Sequence, residues 1–220
     1  MKRIAAEAYH QRQANDHGFR ALFSLTLLTI AFAMGCGKPA TTPEEIVEQG
    51  KYTGVVNLEG RHVDPFENGS GGPVVLLFLS NDCPISNRYA PEIRRLHEKY
   101  SARGVRFWLV HPDPAETAEA IRKHAGDYQL PMALLRDPEH ALVKLAEATV
   151  TPEAAVFLSN GQRVYHGRID DRNVDLGKHR PAPTRRDLEA VLEAILAGRT
   201  ERFPAAPAIG CEIAPLPNAK

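Results

Sequence analysis

The sequence predicts one α/β domain built on a central mixed β-sheet flanked by helices, and three stretches predict it. Val74 to Leu79 is an unbroken apolar run, too short for a good helix and rich in strand formers, which suits a central strand covered on both faces. Val105 to Val110 (VRFWLV) is a second such run, separated from the first by an amphipathic helical stretch. Asn160-Gly161 lies between two strand-like runs and is a strong hairpin signal, joining Ala154–Leu158 to Arg163–Ile169 antiparallel.

Taken in order, the chain opens with a basic segment, Lys2, Arg3, Arg12 and Arg20, that leads into the apolar run Ala21 to Met34. That run is shorter than the roughly 20 residues needed to span a bilayer, and small residues follow at Gly35, Cys36 and Gly37, so residues 1–37 read as an export signal. Ala33-Met34-Gly35-Cys36 resembles a bacterial lipobox, which implies lipidation at Cys36 and a protein held at the periplasmic or outer face of a bacterial membrane. A plain signal peptide or an uncleaved anchor is the alternative. Residues 38–54 read as a tether, with Lys38 to Gln49, carrying Pro39 and Pro43, a short N-terminal helix as the alternative, and Val55 to Leu58 read as a first strand. The loop Glu67-Asn68-Gly69-Ser70-Gly71-Gly72-Pro73 delivers the chain to the central strand.

After that strand, Ser80, Asn81 and Asp82 break the apolar run. Pro84 fits the first position of a helix, which puts Cys83 at or beside its N-cap. Ile85, Tyr89, Ile93, Leu96 and Tyr100 recur at helical spacing and give this helix one apolar stripe for the sheet. Gly104 is a plausible C-cap. Helices are expected over Ala115–Tyr128, Pro138–Ala148 and Thr184–Ala197, the last with Thr184 as N-cap, and an extended segment over Met132–Leu135. The domain therefore spans residues 55–198. Residues 199–220 form a proline-rich tail whose apolar residues around Cys211 suggest a segment that docks back onto the domain.

The position of Cys83 carries the chemistry. Free N–H groups and the positive end of the helix dipole favour a thiolate, and the thiolate is the nucleophile. A buried cysteine acting as a small hydrophobe is the alternative reading of the same residue. His111 falls at the carboxyl end of a strand, the side where open α/β sheets bind ligands, so it reads as a base, a metal ligand or a hydrogen-bonded loop residue. The run Arg168-Ile169-Asp170-Asp171-Arg172 reads as a substrate-facing ion cluster or, more simply, as surface ion pairing.

These features together resemble the thioredoxin-like superfamily, in its redoxin branch of alkyl hydroperoxide reductase/thiol-specific antioxidant (AhpC/TSA) and membrane-tethered thiol-disulfide proteins. Cys83-Pro84-Ile85-Ser86 lies where that family carries C-x-x-C or a peroxidatic cysteine. Pro91 matches the proline within its active-site helix, and Thr151-Pro152, directly before the strand Ala154–Leu158, matches its cis-proline. Ser86 replaces the second cysteine of the motif, no tryptophan precedes Cys83, and of the pattern P-x-x-x-T-x-x-C only Ser80 remains, with Leu76 in place of the proline. The resemblance implies an antioxidant or thiol-disulfide oxidoreductase in which Cys83 attacks a peroxide or disulfide, the Thr151-Pro152 backbone aligns it and Cys211 resolves the intermediate.

Three cysteines are present, and lipidation would consume Cys36. With Ser86 in the motif, a disulfide cycle uses Cys211 or an external thiol reductant such as glutathione or a partner protein. A permanent Cys83–Cys211 staple is the structural alternative, worth on the order of 5 kcal/mol in the chain-entropy model. A Cu(I) site from Cys83 or Cys211 with His111 or His179 is a further one, since soft thiolate suits Cu(I). No organic cofactor is expected. Charge is balanced at zero formal net, with 25% charged and 43% hydrophobic residues, so no nucleic-acid partner is implied and the membrane contact is expected through the N-terminal lipid or anchor.

Overall fold

The computed structural model describes residues 52–67 and 71–216. The expected export segment, the lipobox with Cys36 and most of the tether lie outside the described residues.

The apolar run becomes β1 (Val74–Phe78), buried at every position. Its neighbours are β2 (Arg106–His111), parallel, with Val74 opposite Arg106, and β5 (Glu153–Phe157), antiparallel, with Val74 opposite Phe157. β3 (Ala133–Arg136) adds in parallel to β2, and β6 (Arg163–Gly167) adds antiparallel to β5. The sheet order is β3-β2-β1-β5-β6. The hairpin at Asn160-Gly161 closes through a turn in which Gly161 donates to the Leu158 carbonyl, and Gly161 sits at φ +82°.

Because successive strand side chains point to opposite faces, β1 divides the core in two. Val75, Leu77 and Leu79 face the cluster formed with α1 (Pro84–Ser101), α2 (Ala118–Asp127) and α4 (Asp187–Leu196). Val74, Leu76 and Phe78 face the other, with α3 (Ala141–Ala146), Tyr52, Val55 and Phe66. Each fully buried Leu, Ile or Phe contributes about 1.5–3 kcal/mol of transfer free energy, so the central strand and α1 anchor the domain. Tyr52, assigned to the tether by sequence, belongs to this packing, with its ring 5.4 Å from Phe66.

Several boundaries differ from expectation for local reasons. Val56 makes only isolated bridges, to His62 and Arg136, and no strand forms over Val55–Leu58. The second helix begins at Ala118 because the Thr117 hydroxyl caps it by accepting from Ala120 N. The last helix begins at Asp187: the Thr184 hydroxyl, expected as its cap, instead donates to the Asp171 carboxylate. That helix is tied to α1 by Arg95, which bridges Glu92 and Glu189 with contacts of 2.7 and 2.5 Å.

The tail is held along its length. Phe203 N donates to Val164 O at 2.8 Å, Arg168 N to Ala206 O at 2.8 Å, and Ile213 N to Thr149 O at 3.0 Å. A two-residue strand, β9 (Cys211–Glu212), pairs antiparallel with β4 (Val150–Thr151), setting Cys211 opposite Thr151. Close approach demands glycine at two points: a Cβ on Gly167 would lie 2.1 Å from Ala206 O, and one on Gly210 would lie 2.2 Å from Thr151 O.

Candidate active site

The chain leaves β1 through Ser80, Asn81 and Asp82 and enters α1 at Cys83, the N-cap residue, with Pro84 in the first turn. Pro suits that place because its missing N–H has no intrahelical acceptor there. The loop is fixed by one buried carboxylate. Glu116 Oε1 accepts from Ser80 Oγ at 3.0 Å and from Asn81 N at 2.7 Å, while its Oε2 lies 2.8 Å from His111 Nδ1. Asn87 ties the same loop to the helix, donating through Nδ2 to Asn81 O at 3.1 Å.

Cys83 is 1% exposed. Its sulfur lies 3.0 Å from the Thr151 carbonyl oxygen, to which the thiol donates, and 3.5 Å from Ser86 N, from which it accepts. The Thr151–Pro152 bond is cis. Burial pushes the Cys83 thiol up, but donors from the Cys211 thiol, from Ser86 through hydroxyl and N–H, and from the Cys211 backbone outweigh it and leave the thiol below its ordinary value. The Ser86 hydroxyl has no other partner in the protein and is buried, so its proton is available to a thiolate. Serine thus supplies a donor at the place where a second cysteine would stand.

Cys211, half-buried, responds in the opposite sense. Burial first, then its bond to Cys83 and the charge there, raise it to about 11. Both cysteines are free thiols in this structure. Of the two thiols, Cys83 is therefore the more acidic and Cys211 the one that more readily keeps its proton.

The structure brings Cys83, Thr151, Pro152 and Cys211 into one site. His111 lies elsewhere: it is buried at the end of β2, hydrogen-bonded to Glu116, and is not among the groups that act on the Cys83 thiol. His179 sits on an exposed hairpin formed by β7 (Asn173–Asp175) and β8 (Lys178–His179). Among the described residues no group of three or more His, Cys, Asp and Glu side chains is arranged to hold a metal ion. The Arg168–Arg172 run is not a surface ion cluster. Asp170 and Asp171 are buried, Asp170 accepting from Tyr89 Oη at 2.6 Å and Asp171 from the backbone N–H groups of Thr184 and Arg185. It fastens the end of β6 to α1 and to the start of α4. Sequence reasoning missed Glu116, Asn87 and the sulfur donor Ser86.

A five-stranded mixed sheet, a cysteine capping the helix after the central strand and a cis-proline across from its sulfur define a thioredoxin-like protein. The AhpC/TSA family profile matches residues 49–164, more than half the chain, and the chain belongs to that redoxin family. No curated protein matches it. Among solved structures, an uncharacterized conserved protein from Geobacillus kaustophilus is similar at TM-score 0.65 and 27% identity, over 75% of this chain and 89% of its own. A hypothetical protein from Sinorhizobium meliloti is similar at 0.62 and 24% identity, over 72% and 88%. A thioredoxin-like protein from Aeropyrum pernix matches the fold at 0.50 and 20% identity, over 64% and 87%.

Proposed function

We propose that the protein is an exported thiol-disulfide oxidoreductase that cycles between a Cys83–Cys211 dithiol and disulfide. The observation that carries this reading is the pairing of the tail with β4, which sets two thiols of unlike acidity against one another. The Cys83 thiolate attacks one sulfur of a disulfide R–S–S–R′, forming Cys83–S–S–R and releasing R′–S⁻, which takes a proton. Once Cys83 is in the mixed disulfide its charge is gone, so that part of the rise at Cys211 disappears and Cys211 ionises more readily. The Cys211 thiolate then attacks the Cys83 sulfur, R–S⁻ leaves, and the protein holds an intramolecular disulfide. The substrate has gained two electrons, and an external dithiol returns two to the protein. The N-terminal basic and apolar segments support export, and Cys36 supports a lipid anchor at the outer face of a membrane.

The near-complete burial of Cys83 favours a second reading, thiol peroxidase, because a small hydroperoxide reaches a covered sulfur more easily than a polypeptide does. There the thiolate attacks the distal oxygen of ROOH, the O–O bond breaks, ROH leaves, and Cys211 displaces water from the Cys83 sulfenic acid to give the same disulfide. One experiment separates the readings: incubation of wild type, Cys83→Ser and Cys211→Ser with a model peptide disulfide or with hydrogen peroxide, followed by mass spectrometry. Disulfide exchange predicts a trapped peptide adduct on Cys83 in Cys211→Ser, and peroxidase predicts a sulfenic acid there. Full turnover by Cys83→Ser would exclude both.

A further inference from the structure

Two thiols converge at Thr151. The Cys83 sulfur lies 3.0 Å from Thr151 O, and the β4–β9 ladder sets Cys211 opposite the same residue, where the two side chains hydrogen-bond to each other. The main chain fixes both: Cys83 N donates to Ser80 O at 3.3 Å, and Ile213 N, just beyond Cys211, donates to Thr149 O at 3.0 Å. Such a pair is a donor set for a soft metal ion as well as a disulfide in reduced form.

The surroundings select which ion. His111, one histidine the sequence offers as a ligand, is engaged at Nδ1 by Glu116, and His179 sits on an exposed hairpin. Among the described residues no His, Cys, Asp and Glu side chains form a group of three or more that could hold a metal. Zn(II) and Cu(II), which demand three or four ligands, are therefore not served. Cu(I) is a soft, filled-shell ion that accepts two thiolates in a line and needs no third donor. Replacing both thiol protons with one Cu(I) leaves a single negative charge on the sulfur–copper–sulfur unit. The site answers that charge with donors. Cys83 caps the amino end of α1, and its sulfur accepts from Ser86 N at 3.5 Å. Ser86 is 2% exposed, and its hydroxyl, with no other partner, serves the same sulfur. Cys83 itself is 1% exposed, and Ile209 and Cys211 pack against the apolar cluster that contains it, so an ion held there is shielded from water.

We propose that Cys83 and Cys211 together bind one Cu(I) ion as a two-coordinate bis-thiolate with no histidine ligand. In the binding step two S–H bonds are replaced by two S–Cu bonds, two protons leave to solvent, and no electrons move. The ion and the disulfide compete for the same sulfurs, so bound Cu(I) holds the pair reduced.

The test titrates the reduced full chain with Cu(I) under anaerobic conditions, against the chromophoric Cu(I) chelator bicinchoninate. Wild type and Cys36→Ser should each withdraw one Cu(I) per chain. Cys83→Ser and Cys211→Ser should each weaken binding by about a hundredfold or more, and Ser86→Ala, which removes an outer donor, by about tenfold. A second measurement needs no variant: copper X-ray absorption of the loaded wild-type protein should show two sulfur neighbours and no nitrogen. Failure to compete with the chelator, full binding by either cysteine variant, a nitrogen ligand in the absorption spectrum, or displacement of Cu(I) by equimolar Zn(II) would each overturn the proposal. The titration involves no disulfide, so its outcome is independent of the oxidoreductase reading.

Discussion

At Cys83 two opposing effects act on one sulfur: burial favours the neutral thiol, and four donors from Ser86 and Cys211 favour the thiolate. The donors win, and two of them belong to the tail. Replacing Cys211 by serine removes a thiol donor, and because serine's shorter hydroxyl does not reach as far, the Cys83 pKa should rise toward its ordinary 9.0. The sign follows directly: with a higher pKa a smaller fraction of Cys83 is thiolate at neutral pH, so alkylation slows and its pH profile moves to higher pH. Rates of iodoacetamide reaction across pH, measured for wild type and Cys211→Ser, check this, and an unchanged profile would mean that Ser86 and the helix end suffice. The position of Cys83 at the N-cap was legible from sequence because local features place it: a polar break after an apolar run, then proline. Glu116 was not legible. Its importance comes from Ser80 and Asn81, which reach it across 36 and 35 residues, and no local pattern encodes such a contact.

At the scale of elements, α1, β4 and β9 make the candidate site, and of these only α1 shows in the periodicity of the sequence. A two-residue strand has too few residues for any pattern, so β9 was foreseen only as an apolar patch that docks. Thr184 misled because a side-chain oxygen ahead of an amphipathic run is the usual N-cap signature; here Asp171, thirteen residues back, captures that hydroxyl instead. The pairing of β9 with β4 depends on Gly210, whose missing Cβ lets the tail approach Thr151 O. Gly210→Ala should therefore lift the tail from β4 while leaving the five-stranded sheet intact. The expected result is disulfide formation between Cys83 and Cys211 slowed by about tenfold or more, the usual consequence of an ångström-scale misplacement of reacting groups, with little change in the thermal midpoint. Stopped-flow oxidation alongside thermal unfolding measures both, and an unaltered oxidation rate would show that the tail tolerates the methyl group by other means.

Across the whole molecule, the sheet order, the central strand and the cysteine-bearing helix follow from patterns spanning a few residues each, and the family membership agrees with them. The proposed pair, Cys83 and Cys211, does not follow from such patterns. Its partners stand 128 positions apart in sequence, and they meet because residues 199–216 return along β6 and across the cis-proline loop. The proposed chemistry therefore draws on a segment that composition alone marks as irregular. The most direct measurement of this account is peptide mapping by mass spectrometry of the purified protein, equilibrated in glutathione buffers from reducing to oxidising and quenched by alkylation. The account predicts two alkylated cysteines at the reducing end and a Cys83–Cys211 disulfide at the oxidising end, with a reversible transition between them. Cysteines that never pair, or a bond that no buffer opens, would contradict it.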